Sequence, residues 1–469
     1  MTEKWDAIIV GAGSAGLPAA IFAAQRGLKV LQIDADNRVG GTLYWSSGQI
    51  AAAGTSVQRK LGIEDSPEAH YADAQKITHD SIDPVLGKLA IDNAADTIEW
   101  LLECGFEMAA GAPESGVTHE AYDTRRYYWG NNLAISILDV VKPVHEKLVA
   151  EGKIDLRLNT RLTRLISDDS GAVVGVEAET PQGTRTFHGS SVALTSGGYA
   201  ANPQMWQEFT PALPLCSYCN PYSRGDGIAA ARSLGALVDG EEKFLCTFAG
   251  WRDEPDNPLS GLFFGLAPTT RRPWEIYVDV NGKRFVREDH PSIDHLENAL
   301  LRQPGMKMWI VCDEGIVQNA PPITPYPEAD FKARLGKHAN FPKANSLREL
   351  AEKMGVDATN LEDSVARFNG AVASGKDPDF GREFLHRPIE KPPFYAMGAS
   401  GITVVSPAGL SADGQLRVLR TDGKPIQNLF AAGEVLGFTR LSGNAFAGGM
   451  SLTPAMTFGR LLGERLLPA

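Results

Sequence analysis

The run Ala7-Ile8-Ile9-Val10 leads directly into Gly11-Ala12-Gly13-Ser14-Ala15-Gly16, and no other stretch of the chain limits its fold so tightly. A helix of small residues follows, and a second apolar run, Lys29-Val30-Leu31-Gln32-Ile33, closes on Asp34. Strand, G-x-G-x-x-G turn, helix, strand and acid in that order form the dinucleotide-binding fingerprint. Gly11 permits the tight turn, Gly13 lets the backbone approach a pyrophosphate, and Gly16 lets the helix pack close on the strand. The helix start offers N–H groups and a partial positive charge to phosphates. Asp34 stands where a carboxylate accepts hydrogen bonds from ribose hydroxyls. Pro18 falls inside the predicted helix and is expected to kink its first turns.

A chain of 469 residues suits two or three domains. Its 45 basic and 57 acidic residues leave a net charge of −12, which argues against nucleic acid or an anionic membrane as partner. A local pocket can still oppose that global field. No charged-then-apolar segment opens the sequence, and no apolar run approaches the length of about 20 residues that spans a bilayer. The expected location is therefore cytoplasmic, with no membrane span. Cys104, Cys216, Cys219, Cys246 and Cys312 are sparse and odd in number, as suits reduced thiols. Cys216-Ser-Tyr-Cys219 lacks the second ligand pair of a zinc or iron–sulfur site, and Asn220 replaces the histidine of a haem attachment motif. No metal site is expected.

Helices are expected over 83–107 and 132–150, a strand over 154–158, and antiparallel strands over 162–166, 173–178 and 185–189. The apolar run 191–195 ends in Ser196-Gly197-Gly198. From about residue 238 prolines and aromatics increase, with a hairpin around Asn281-Gly282, a strand at 309–311, and amphipathic helices over 346–354 and 360–374. The last segment returns to strand and glycine turn at Leu429-Phe430-Ala431-Ala432-Gly433-Glu434, with a terminal helix near 452–466. The expected fold is α/β: a discontinuous Rossmann-like domain from 1–237 and 393–469, with an α+β capping domain inserted over 238–392.

Several segments carry a family resemblance. Leu194-Thr195-Ser196-Gly197-Gly198-Tyr199 matches an "ATGGF" strand end, and Gly225-Asp226-Gly227 a "GDG" helix start. Residues 276–285 match "ILVNxxGKRF", residues 374–380 "SGKDxDF", and Leu429 to Glu434 "LYAAGE". Over nearly its whole length the chain resembles the flavoprotein group of soluble fumarate reductases, urocanate reductase and 3-ketosteroid dehydrogenases. The resemblance implies FAD held by Gly11, Gly13, Ser14, Ala15, Gly16, Asp34, Gly41, Thr42, Gly48, Leu162, Ser196, Gly197, Gly198, Asp226, Gly433, Glu434, Asn444, Ser451 and Leu452. No histidine sits in a flavin-linking motif, so the cofactor is expected to be non-covalent.

The resemblance also implies catalytic positions. Arg271, or its neighbour Arg272, stands where an arginine precedes the "ILVN" strand and handles the substrate proton. Arg440, in Arg440-Leu441-Ser442-Gly443-Asn444-Ala445, matches an arginine that grips a substrate carboxylate or carbonyl. Tyr127 and Tyr128 are further proton-handling candidates. Two clamping histidines of the fumarate reductases are replaced by Phe248 and by the stretch Thr403-Val404. Phe248, Trp251, Phe263, Phe264 and Trp274 offer an apolar wall instead. The expected activity is an FAD-dependent oxidoreductase that forms or reduces a C–C double bond beside a carbonyl, favouring an apolar cyclic ketone of ketosteroid type. The alternatives are an enoate or tricarballylate-type enzyme and a flavin-bearing electron-transfer subunit. With no haem or iron–sulfur motif, the electron donor or acceptor is expected to be external.

Overall fold

The computed structural model describes residues 4–116, 119–240, 244, 246–324, 327–443 and 445–468. Four parallel pairings build the larger sheet. Its order runs Arg417–Leu419, Pro425–Ala431, Gly183–Leu194, Lys4–Val10, Val30–Ile33, Ile154–Arg157. The central strands are apolar without alternation, as expected where helices cover both faces. Val10 is opposite Ile33 and Leu194, and Leu194 is opposite Ala431, so the strands end level with one another.

The helix after the fingerprint spans Gly16–Gln25 and carries Pro18 in its first turn. The expected kink is unnecessary there, because a first-turn N–H has no partner within its own helix. Strands expected separately at 185–189 and 191–195 form one strand, Gly183–Leu194. Its first half pairs antiparallel with Val173–Thr180 and its second half parallel with Lys4–Val10.

A second, mainly antiparallel sheet lies in the order Gly261–Leu262, Thr247–Trp251, Phe394–Ile402, Lys307–Asp313, Ile276–Val278. Asn281-Gly282 makes a turn, Gly282 N donating to Asp279 O at 3.1 Å, but its return is a single bridge from Arg284 to Val278. Two apolar cores result. One gathers residues from Trp5 to Ala236 and again from Ala408 to Leu467, and the other residues from Cys246 to Ala399. The strand Phe394–Ile402, just past the expected boundary at 393, pairs within the second sheet. An apolar strand does not itself specify which sheet it joins. No helix among the described residues is long and apolar enough to cross a membrane.

Candidate active site

The level strand ends open onto one cleft. Each expected loop enters it from the end of a different strand: Gly11, Gly13, Ser14 and Ala15; Asp34; Ser196 and Gly197; Gly433 and Glu434. Gly41, Thr42, Leu162, Asp226, Ser451 and Leu452 complete the brought-together set. Gly16, Gly48 and Gly198 stand outside the lining. A Cβ on Gly16 would run into Gly11 O, and one on Gly198 into the side chains of Ser406 and Glu434. Their role is close packing beneath the cleft. Gly48 turns against Ala134. Asn444 lies outside the described residues.

The polar groups of the cleft are held from behind. Asp34 accepts N–H bonds from Ala12 at 2.6 Å and Asp36 at 2.8 Å, and burial raises its pKa. Glu434 accepts from Ser406 N at 2.8 Å and is likewise raised by burial. Asp226 forms a two-point pair with Arg161 at 2.9 and 2.6 Å. Among the described residues the buried Ser196 hydroxyl has no partner, although it lines the cleft, so a hydroxyl-bearing ligand would satisfy it. A cleft lined by the glycine loop at the start of a ten-residue helix and by the carboxylates Asp34, Asp226 and Glu434 fits an FAD molecule.

Sequence reasoning missed several neighbours. Thr160, Thr195, Asn220, Tyr222 and Ser223 also line the cleft. The segment 220–223 immediately precedes the recognised Gly225-Asp226-Gly227 turn, and that adjacency was the available signal. Behind the glycine loop sits buried Gln32, whose Nε2 donates to Gly11 O and Gly16 O, each at 3.0 Å. His145 Nε2 bonds Gln32 Oε1 at 2.7 Å.

None of the four catalytic candidates lines the cofactor cleft. Arg271 is buried in the cap, its guanidinium on Glu275 at 2.7 and 3.0 Å and on Pro321 O at 3.0 Å. It lines a cavity with Cys312, Ile316 and Phe331 that shares no residue with the cofactor cleft. The structure holds Arg271 in a buried cap ion pair with Glu275. Arg272 lies over the Phe384 ring. Arg440 is shared between Asp83 at 3.0 Å and Asp239 at 2.9 Å, with a further bond to Ser411. Tyr128 OH is bonded to Thr55 Oγ1 at 2.7 Å, and burial pushes its pKa up to about 12. Tyr127 is buried against Gly448, and burial raises its pKa further.

The expected aromatic wall also divides. Trp251 and Phe263 pack with Phe331 and Phe341 inside the cap core. Phe264 is 58% exposed, and Trp274 packs on His386. Phe248 packs on Tyr277, and its N–H donates to buried Glu297 at 3.0 Å. Among the described residues every cysteine is a free thiol. Cys219 bonds Ser217 Oγ at 3.1 Å, and burial pushes its pKa up to about 11, the opposite of an activated thiol.

Residues 6–451 match the family model described as FAD binding domain. The chain is 29% identical over 469 residues to a probable fumarate reductase, Ifc3, of Shewanella frigidimarina, covering 99% of this chain and 75% of that protein. It is 27% identical over 565 residues to a 3-oxosteroid 1-dehydrogenase of Mycolicibacterium smegmatis, covering 98% and 96%. Its structure superposes on the open conformation of a flavocytochrome c3 fumarate reductase with a TM-score of 0.77 at 28% identity, over 99% of this chain and 78% of the other.

Proposed function

The chain belongs to this FAD-binding family, and on that premise we propose an oxidoreductase that forms or saturates a carbon–carbon double bond beside the carbonyl of an uncharged, apolar cyclic ketone. Bound in the cleft, FAD supplies two-electron hydride chemistry. The loops ending at Gly13, Asp34, Gly197 and Glu434 would hold it, with the phosphates at the helix start.

One observation carries the choice of a neutral substrate. The arginine expected to grip a carboxylate, Arg440, has both terminal nitrogens on Asp83 and Asp239 and only its buried Nε without a partner among the described residues, and the expected proton handler Arg271 is paired with Glu275. A dicarboxylate would have to compete with those partners, and at Arg271 it would leave the buried Glu275 unpaired, at a cost of several kcal/mol. A ketone oxygen needs only neutral donors. The buried hydroxyls of Thr403 and Ser442 have no partner among the described residues and suit that demand. Thr403 also replaces one of the histidines expected in a dicarboxylate reductase.

The test is anaerobic. Reduced holo-protein is mixed with cyclic enones, including a steroid enone, and separately with fumarate, and flavin reoxidation is followed. The expected result is reoxidation by an enone at least about 100-fold faster than by fumarate, the scale of a lost or gained charge-assisted contact in the reacting complex. Equal or faster reoxidation by fumarate overturns the neutral-substrate reading.

A further inference from the structure

Three ionisable side chains that neither the fingerprint nor the expected catalytic set includes meet where the two cores adjoin. His119 comes from the loop that follows the first set of helices. Asp294 and Glu297 sit three residues apart on the cap helix Ile293–Leu301, and so share one face of it. His119 Nδ1 bonds Asp294 Oδ1 at 2.7 Å, and Glu120 N donates to Asp294 Oδ2 at 2.9 Å. One ligand atom from each of the three residues lies within 4.8 Å of the others. Glu297 is buried, its Oε1 taking the Phe248 N–H. The His119 ring stacks on Phe446 at 4.0 Å, and Phe446 stacks on Phe438 at 5.8 Å. Phe438 in turn walls a recess with Gly433, Glu434 and Ser451, which also line the cofactor cleft.

Resting on the functional reading above, we propose that His119 is the residue that exchanges a proton with the substrate carbon, oriented by Asp294 and backed by Glu297 as a proton store. Ligands in such folds bind where the domains meet, and this cluster spans that seam. Burying three ionisable groups there opposes stability, and such clusters concentrate at sites of proton chemistry. With Nδ1–H engaged by Asp294, Nε2 is the nitrogen left to trade the proton.

The protonation states agree. Burial opposes a charged His119, but the hydrogen bond to Asp294 and the charges of Glu297, Asp294 and Glu120 more than offset it, and its pKa is raised. Burial pushes Glu297 up to about 8; the His119 charge and the Phe248 N–H pull back, and the Asp294 charge adds to the rise. The two shifts thus favour a protonated His119 and a neutral Glu297.

In the saturating direction the substrate's C=C π bond breaks. One carbon takes a hydride carrying both electrons, with reduced flavin as the reductant, and its neighbour takes the proton from His119 Nε2. Solvent then returns a proton to the cluster. The reverse direction removes the same two hydrogens, with oxidised flavin as the acceptor.

The experiment uses holo-protein carrying His119→Gln, Asp294→Asn or Glu297→Gln, with imidazole NMR of histidine-labelled protein beside stopped-flow reoxidation. His119→Gln is expected to slow enone-driven reoxidation by about 10²–10⁴-fold, with FAD content and dithionite reduction unchanged. In Asp294→Asn the His119 imidazole should titrate at lower pH, and Glu297→Gln should also move it. A His119→Gln rate within about threefold of the parent overturns the proposal. So does a His119 imidazole that holds one protonation state from about pH 6 to about pH 9, a result that counts even when no enone is turned over. So does a stoichiometric divalent metal ion that only a chelator removes, because coordinated ligands cannot carry the proton. Failure of the functional reading looks different: the parent enzyme ignores every enone while its His119 titrates as stated.

Discussion

Gln32 shows how much a single buried side chain can do. Its amide donates to the carbonyls on both sides of the glycine turn, so its oxygen must accept, and His145 must donate from Nε2. Burial pushes the pKa of His145 down to about 4, which keeps the ring neutral as that arrangement requires. Gln32→Leu should take one hydrogen bond from each carbonyl, although Gly11 O keeps Thr195 Oγ1 at 3.1 Å, and should strand the buried imidazole N–H at a cost of about 1–3 kcal/mol. Titration of apo-protein with FAD, read by flavin fluorescence, should show affinity lower by tenfold or more, since about 1.4 kcal/mol is a factor of ten. An unchanged affinity would mean that the turn holds its shape by backbone sterics alone. Arg271→Ala makes a second prediction at this scale. It strands Glu275, whose burial is balanced chiefly by the Arg271 charge. Stability should fall by about 3–5 kcal/mol, measured by denaturant unfolding, while flavin reoxidation in the folded fraction stays near the parent rate. A loss of rate without a loss of stability would restore Arg271 to the chemistry. Gly11 and Gly16 were legible in the sequence because a turn's needs are local. Gln32 was not, because a polar residue inside an apolar strand reveals nothing of its partners.

At the scale of elements, the helix Pro67–Thr78 carries His70 fully into the interior, its ring edge-on to Tyr122 at 5.3 Å. Beside it Arg126 is gripped by Asp65 at 2.7 Å and Asp73 at 2.6 Å. Burial, and then the Arg126 charge, push the pKa of His70 down from 6.5 to about 3. The folded state therefore keeps His70 neutral while the unfolded chain protonates it. Its contribution is present above pH 6.5 and is lost as pH falls toward 3. The loss runs at about 1.4 kcal/mol per pH unit, so about 2 kcal/mol between pH 6.5 and pH 5. His70→Gln should remove that slope, and the pH dependence of urea unfolding for the two proteins should narrow by about this amount. Parallel slopes would place acid sensitivity elsewhere. Most elements were readable from periodicity: the helices Leu347–Met354 and Ala358–Ser374 and the strand Lys307–Asp313 lie where the pattern puts them. The strand Gly183–Leu194 was expected as two pieces and the strand Phe394–Ile402 was not foreseen, because pairing partners are chosen across the fold and not along the chain.

For the whole molecule, the cofactor cleft joins both ends of the chain, from Gly11 and Asp34 to Gly433, Ser451 and Leu452. Ligand binding there should stabilise the native state by RT ln(1 + [FAD]/Kd), about 2.7 kcal/mol at one hundred times Kd. Calorimetry of apo- and holo-protein should show the melting temperature rising with FAD concentration, and a temperature independent of FAD would contradict the cleft assignment. The cofactor half of this protein was written in the sequence itself. Strand, glycine turn, helix and acid are neighbours along the chain, and their spacing alone brings the pyrophosphate loop and Asp34 together. The surroundings of the catalytic candidates were decided only by tertiary structure. Arg440 meets Asp83 across 357 positions, and His119 meets Asp294 across 175. A guanidinium or an imidazole takes its role from the charge it faces, and such distant partners become neighbours only in the folded chain.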